Sequence, residues 1–85
     1  MKSVFTEEYD MLLQSLITAR KAANLTQSDL AKALAKPQSF VSKYERKERR
    51  LDVIEYISVC RLIGLNPCDE ISKLDDEIST KQRVE

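Results

Sequence analysis

Residues 25–45 constrain the fold more than any other part of the chain, because they encode two short helices that meet at a tight corner. Thr26 and Asp29 form a capping-box pattern at the start of the first helix, with Asp in place of the usual Glu or Gln. Pro37 favours the first turn of the second helix and biases the preceding residue away from helix. Helices this short are unstable alone, so the pattern predicts a corner held by packing against other helices.

The second helix of the corner has two different faces. Val41 and Tyr44 form an apolar pair one turn apart and are expected to point inward. The opposite face carries side chains that donate and accept hydrogen bonds, namely Gln38, Ser39, Ser42 and Lys43. The alternative interpretation of Gln38 and Ser39 is that they are merely polar residues of an exposed first turn.

The remaining chain predicts a single all-α domain. One Gly and two Pro in 85 residues leave little room for hairpins, and no stretch alternates β-branched and polar residues as a strand would. Helical spacing and capping signals predict five helices in a domain spanning residues 1–79, followed by a polar, disordered tail at 80–85. The expected helices cover about residues 7–23, 27–35, 38–45, 53–63 and 67–79.

Composition excludes several functional classes. The chain contains no His, and its two cysteines, Cys60 and Cys68, make neither a disulfide framework nor a set of metal ligands. No paired-carboxylate pocket, phosphate loop or Ser or Cys triad is evident, so we expect neither an enzyme nor a cofactor. No signal peptide or long apolar run occurs, which predicts a cytoplasmic protein without membrane contact. Cys60 fits a buried structural position.

The formal net charge is zero, but the charges are segregated along the chain. Residues 20–50 carry nine Lys or Arg against three acids, whereas residues 51–85 carry four against eight. Because salt screens charges beyond about 8–10 Å, one basic face can attract an anionic partner despite overall neutrality. The alternative is an ordinary solvated surface.

The order and spacing of three segments resemble the phage-repressor (Cro/Xre-type) helix-turn-helix family over residues 9–67. These segments are Leu-Thr-Gln-Ser-Asp-Leu-Ala, Pro-Gln-Ser-Phe-Val-Ser-Lys-Tyr-Glu and Cys-Arg-Leu-Ile-Gly-Leu-Asn-Pro. The resemblance implies a lambda-repressor-like domain of five helices, in which helices 2 and 3 form the helix-turn-helix. It further implies binding to double-stranded DNA.

The resemblance also implies roles for individual residues. Gln38, Ser39 and Lys43 match positions that reach base edges, and Gln, Ser and Lys can each hydrogen-bond to bases in the major groove. Arg20 and Glu45 match an ion pair that fixes helix 3 and points Arg20 toward the phosphates. Residues 45–50, Glu-Arg-Lys-Glu-Arg-Arg, form a charged connector after helix 3. Contacts to the DNA backbone are expected from Gln27, Ser42, Lys36, Arg20, Lys47, Arg49 and Arg50, although solvation alone would explain any single one of the basic residues.

Three positions leave the local geometry open. The family usually has Gly at the corner and just after helix 3, where this chain has Ala35 and Lys47. Both fit if the backbone stays at negative φ, or if it accepts a modest cost in the left-handed region. Phe40 either faces a DNA sugar or thymine methyl, or packs against the connector after helix 3.

The expected function is a transcriptional regulator of repressor type that binds a palindromic operator as a homodimer. Helix 4 is apolar over a wider face than a surface helix of a monomer needs, which favours a dimer. The expected interface residues are Ile54, Ile57, Arg61, Ile71, Leu74 and Ile78. Alternatives are a monomer with helix 5 folded back, an antitoxin that grips a toxin through its acidic C-terminal part, and a restriction–modification controller.

Overall fold

A computed structural model describes residues 6–81, with side chains to Thr80. These residues form five α-helices and no strand, which confirms the all-α prediction. The helices are α1 (Glu7–Ala22), α2 (Gln27–Leu34), α3 (Gln38–Glu45), α4 (Val53–Leu62) and α5 (Pro67–Lys81). No helix within this part of the chain is long and apolar enough to cross a membrane.

The C-terminal helix is longer than its sequence pattern predicts. Thr80 and Lys81 are helical and do not belong to a disordered tail. The hydroxyl of Thr80 donates to the carbonyl of Asp76 at 2.9 Å, so a polar side chain bonds back to the helix and is compatible with its last turn. The rest of the expected tail, residues 82–85, lies outside the described residues.

Side-chain caps fix where α2 and α4 begin. Thr26 Oγ1 accepts from the N–H of Asp29 at 3.0 Å, and Asp29 Oδ2 accepts from the N–H of Thr26 at 2.9 Å. Asp52 and Glu55 make the same reciprocal pair at the start of α4, at 2.8 and 2.9 Å. Each box satisfies two backbone donors that a helix start leaves open, so both starts are determined locally.

Four helices end in the left-handed region, at Asn24 (φ 60°), Ala35 (φ 57°), Lys47 (φ 65°) and Gly64 (φ 82°). In each case the next residue donates its N–H to a carbonyl five positions earlier, as in Leu25 to Arg20 at 3.2 Å and Lys36 to Ala31 at 2.9 Å. This is the Schellman ending, which usually employs Gly. Ala35 and Lys47 therefore accept the left-handed cost, and neither keeps a negative φ.

The core lies where α1, α2, α3 and α4 meet. Its buried side chains come from all four helices and include Leu13, Leu16, Leu30, Ala31, Val41, Tyr44, Val59 and Cys60. Within this arrangement α2 packs on α3 and α4, and α5 packs on α1 and α4. The two-helix corner is thus supported from behind by α4, and the burial of Cys60 agrees with a structural role.

Candidate nucleic-acid interface

The buried side of α3 determines which residues face outward. Val41 and Tyr44 are almost completely buried, so the opposite side of this two-turn helix points into solvent. Gln38, Ser39 and Lys43 are all exposed there. Ser42 is half-buried, and its hydroxyl donates to the carbonyl of Ser39 at 3.4 Å. The structure therefore brings the three expected base-reading residues together on one accessible face.

A buried ion pair holds the end of α3. Arg20 of α1 donates from Nε to Glu45 Oε2 at 2.8 Å and from Nη2 to Glu45 Oε1 at 3.1 Å. The two side chains are only 9% and 6% exposed. Hydrogen bonding to Glu45 raises the pKa of the Arg20 guanidinium. Such a pair is strongly destabilised when one partner is removed, because the other charge remains buried and unpaired.

Glu45 also connects α3 to α2. Gln27, the first residue of α2, donates from Nε2 to Glu45 Oε1 at 2.9 Å. Arg20 adds a third bond, from Nη1 to the carbonyl of Leu25 at 2.8 Å in the loop before α2. One carboxylate therefore receives donors from two helices, which fixes the orientation of α3 relative to α1 and α2.

Arg20 and Gln27 were both expected to contact the DNA backbone, but they differ in how accessible they are. Arg20 uses all three of its nitrogens inside the protein and is buried as a whole residue. Arg20 therefore lies beneath the surface that carries Gln38, Ser39 and Lys43, and its donors are bonded within the protein. Gln27 is half-buried at the N-terminus of α2, beside the end of α3.

Phe40 packs against the connector after α3. The residue is buried, and its ring meets the ring of Tyr44 edge-on, with centroids 5.6 Å apart and planes at 67°. The Lys36 ammonium lies 5.1 Å from the ring centroid and the Arg49 guanidinium 4.8 Å. Of the two placements left open by the sequence, the structure shows packing against the connector.

The basic residues of the connector have partners within the protein. Lys47 pairs with Asp10, and hydrogen bonding to Lys47 lowers the pKa of the Asp10 carboxyl. Arg49 binds Glu55 through two bonds, and Arg50 lies over the ring of Tyr9 at 4.9 Å. Sequence reasoning missed these partners, because residues far apart in the chain carry no periodic signal that pairs them.

A separate apolar surface lies on α4 and α5. It consists of large hydrophobic side chains that are 40% exposed or more, here called the α4–α5 surface: Val53, Ile54, Ile57, Leu62 and Ile71. Ile54, Ile57 and Ile71 were expected at an interface. Arg61 was expected there too, and it is exposed and lines one groove with Ile54 and Ile57. Val53 and Leu62 were not singled out for an interface, although both extend the apolar width of helix 4.

Leu74 and Ile78 differ from the other expected interface residues because both are half-buried. Leu74 lies beside Met11, Leu12 and Ser15 of α1. It contributes to the packing of α5 on α1, so a polar substitution at Leu74 would disturb the fold as well as any interface.

Two comparisons with known proteins agree with this geometry. A family model described as "Helix-turn-helix" matches residues 16–69, which include α2, α3 and α4 completely. A solved structure, "XRE-family like protein from Pseudomonas syringae pv. tomato str. DC3000", is 53% identical to this chain. The match has a TM-score of 0.78 and covers 82% of this chain and 85% of the other. No curated protein matches the chain.

Proposed function

Because the chain belongs to the Xre-type helix-turn-helix family of DNA-binding transcriptional regulators, we propose that it is a repressor that binds a palindromic operator as a homodimer. The observation that supports the proposal is the exposed polar face of α3. The C-terminal end of this helix is held by the buried Arg20–Glu45 pair. A short helix fixed in this way presents its N-terminal residues to a major groove.

Gln38, Ser39 and Lys43 are the proposed base-reading residues. A Gln amide can bond bidentately to adenine N6 and N7, a Ser hydroxyl can donate or accept, and a Lys ammonium suits guanine O6 and N7. A good contact of this kind is worth roughly 1–3 kcal/mol of discrimination between base pairs.

The proposed contacts to the DNA backbone come from residues that surround this face. Lys36 precedes α3, Ser42 lies along it, and Gln27 opens the neighbouring helix. The side chains of Lys47 and its partner Asp10 are 43% and 42% exposed, so phosphate oxygens can replace Asp10 at little cost. Arg50 in the same connector is also exposed. Each phosphate contact made by a basic residue steepens the plot of log binding constant against log salt concentration by about 0.9.

The α4–α5 surface is the proposed dimer contact. Monomeric proteins rarely expose contiguous apolar patches of large area, and this one includes Ile54 at 69% and Val53 at 65% exposed. A two-fold dimer would place two α3 helices in successive major grooves about 34 Å apart. The symmetry of the protein then requires a palindromic site.

Selection of bound sequences from a random DNA pool tests the proposal. The expected result is a palindromic consensus whose half-sites are centred about 10 base pairs apart. Gln38→Ala should lower preference at one base pair per half-site by about 1–3 kcal/mol. Gln14→Ala, on the exposed side of α1, is the matched control and should leave the preference intact. Unchanged discrimination in Gln38→Ala would remove Gln38 from the reading set.

Sedimentation tests the dimer. Ile54→Glu should yield monomers and weaker operator binding, because a dimer would have to bury an unpaired charge in place of the most exposed side chain of the apolar surface. Met11→Glu is the control, since Met11 is 47% exposed but lies on α1 outside the α4–α5 surface. If Ile54→Glu sediments as a dimer, the interface lies elsewhere.

A second candidate function uses the same surface differently. α5 carries five acidic side chains, and Ile71 lies among them: Asp69, Glu70, Asp75, Asp76 and Glu77. An acidic and apolar helix of this kind suits a basic protein partner, as in the antitoxin of a toxin–antitoxin pair. A neighbouring toxin gene or copurification with one specific protein would favour this function over the homodimer.

A further inference from the structure

Arg49, in the connector after α3, is held by a bidentate contact within the protein. Its Nη1 donates to Glu55 Oε1 at 2.9 Å and to the carbonyl of Arg50 at 2.9 Å, and its Nη2 donates to Glu55 Oε2 at 2.8 Å. One bidentate edge of the guanidinium is therefore filled by a carboxylate. The positive charge is neutralised at contact distance, which leaves little net attraction for a phosphate.

Glu55 has its own reason to keep this partner. Its side chain is 14% exposed, and it also accepts from the N–H of Asp52 in the capping box of α4. Hydrogen bonding to Arg49 lowers the pKa of Glu55 to about 2. If Arg49 moved to a phosphate, the largely buried Glu55 carboxylate would keep the N–H of Asp52 but lose the charge paired with it, at a substantial electrostatic cost.

The Cζ atom of the same guanidinium lies over the Phe40 ring, 4.8 Å from its centroid. Phe40 is in the first turn of α3, next to Ser39 and two residues after Gln38. Lys36 approaches the ring at 5.1 Å, and Tyr44 meets it edge-on. Among the described residues no side chain caps α3, whereas Thr6, Thr26 and Asp52 cap α1, α2 and α4.

From these contacts we propose that Arg49 is a positioning residue for sequence recognition, which links the start of α4 to the first turn of α3 through Glu55 and Phe40. The Arg20–Glu45 pair fixes the end of α3. The Phe40–Arg49–Glu55 chain fixes its beginning, where Gln38 and Ser39 project. Arg49 thus affects which base pairs are preferred, and it does so without contacting a phosphate. This inference rests on the proposed DNA-reading function.

The test compares Arg49→Gln with Arg46→Gln, using operator DNA selected by the unaltered protein and single-base variants of that operator. Arg46 is the matched control because it is an exposed arginine of the same connector, paired with Glu48 at 3.1 Å. Arg49→Gln should lose several-fold discrimination at the base pairs read by the first turn of α3. Its slope of log affinity against log salt should equal that of Arg46→Gln.

Two further variants separate positioning from charge. Arg49→Lys keeps the charge but lacks the planar fork, and it should lose discrimination as Arg49→Gln does. Phe40→Leu keeps an apolar side chain without the ring, and it should lose the same preference. Because both residues act through one contact, combining Phe40→Leu with Arg49→Gln should cost little more than either alone.

Several results would overturn the proposal. A slope shallower by about 0.9 than that of Arg46→Gln, with base preference intact, would make Arg49 a phosphate contact. If Arg49→Gln and Arg46→Gln had the same base discrimination and the same salt slope, Arg49 would have no role in recognition. If Arg49→Lys kept the base discrimination of the unaltered protein, the positive charge alone would explain the effect of Arg49, and the proposed positioning contact would be refuted.

Amide hydrogen exchange provides a readout that does not depend on DNA. Relative to Arg46→Gln, Arg49→Gln should speed exchange at Val41 and Ser42, because the start of α3 would open more readily. Unchanged exchange would refute the positioning role. If the unaltered protein selects no DNA consensus, the proposed function fails, and the exchange result still decides whether Arg49 holds α3.

Discussion

Ala35→Gly should stabilise the protein, although most single substitutions destabilise proteins. Ala35 has φ 57° and ψ 42°, in the left-handed region, where a residue with a Cβ costs about 1–2 kcal/mol. Glycine removes that cost but loses about 0.4–1 kcal/mol through the greater freedom of its unfolded chain. Ala35 is exposed, so little packing is lost. The net expectation is a gain of about 0.5–1 kcal/mol in the free energy of unfolding.

Thermal unfolding by circular dichroism measures this gain at a fixed protein concentration. For a domain of this size, the expected rise in Tm is about 2–8 °C. Ala33→Gly is the matched control, because Ala33 is also exposed but lies inside α2 with helical backbone angles. It should lower the free energy of unfolding by about 0.5–1 kcal/mol. If Ala35→Gly lowered Tm as Ala33→Gly does, the backbone strain assigned to Ala35 would be refuted.

Three other perturbations test the helix ends and the two polar contacts of α3 and α4. Glu45→Ala should cost about 3–5 kcal/mol in urea unfolding, because Arg20 stays buried and unpaired; a cost near zero would contradict this. Gly64→Ala should lower stability by about 1–2 kcal/mol through its φ of 82° alone, since no described atom lies within 4 Å of the added Cβ. A larger loss would indicate a clash. Glu55 has its pKa lowered from 4.5 to about 2, so its stabilisation is complete above pH 4.5 and is lost as pH falls toward 2. Acid titration of unfolding should show a smaller loss over this range in Glu55→Gln, and equal losses would refute the role of its charge.

Features encoded within one turn of helix could be predicted from the sequence. The box at Thr26 involves residues three positions apart, and the structure forms it with the expected partner, Asp29. The box at Asp52 has the same spacing in the sequence. The left-handed endings at Asn24 and Gly64 are equally local, because Gly and Asn adopt this region more readily than other residues. In each case the interactions that decide the structure join residues a few positions apart, so the sequence pattern alone predicts them.

Features that depend on how helices rotate against each other could not be predicted. Lys47 meets Asp10, and the N–H of Leu51 reaches the hydroxyl of Tyr9 at 3.3 Å, because α1 happens to lie beside the connector. On α5, Ile71 is exposed whereas Leu74 is half-buried toward α1, although both belong to one apolar stripe. Periodicity predicts the face of a helix but not which neighbour covers each part of it. The base-reading roles of Gln38, Ser39 and Lys43 stay predictions.

The carboxylate of Glu45, which joins α1, α2 and α3, has a thermodynamic consequence for recognition. A helix that is already fixed pays no folding entropy when it enters a groove, so its affinity is not reduced by an ordering cost. The heat capacity change on binding should then reflect only the surface buried between protein and DNA, without the large negative term that accompanies coupled folding. Calorimetry should therefore show a heat capacity change typical of a preformed protein surface binding to DNA.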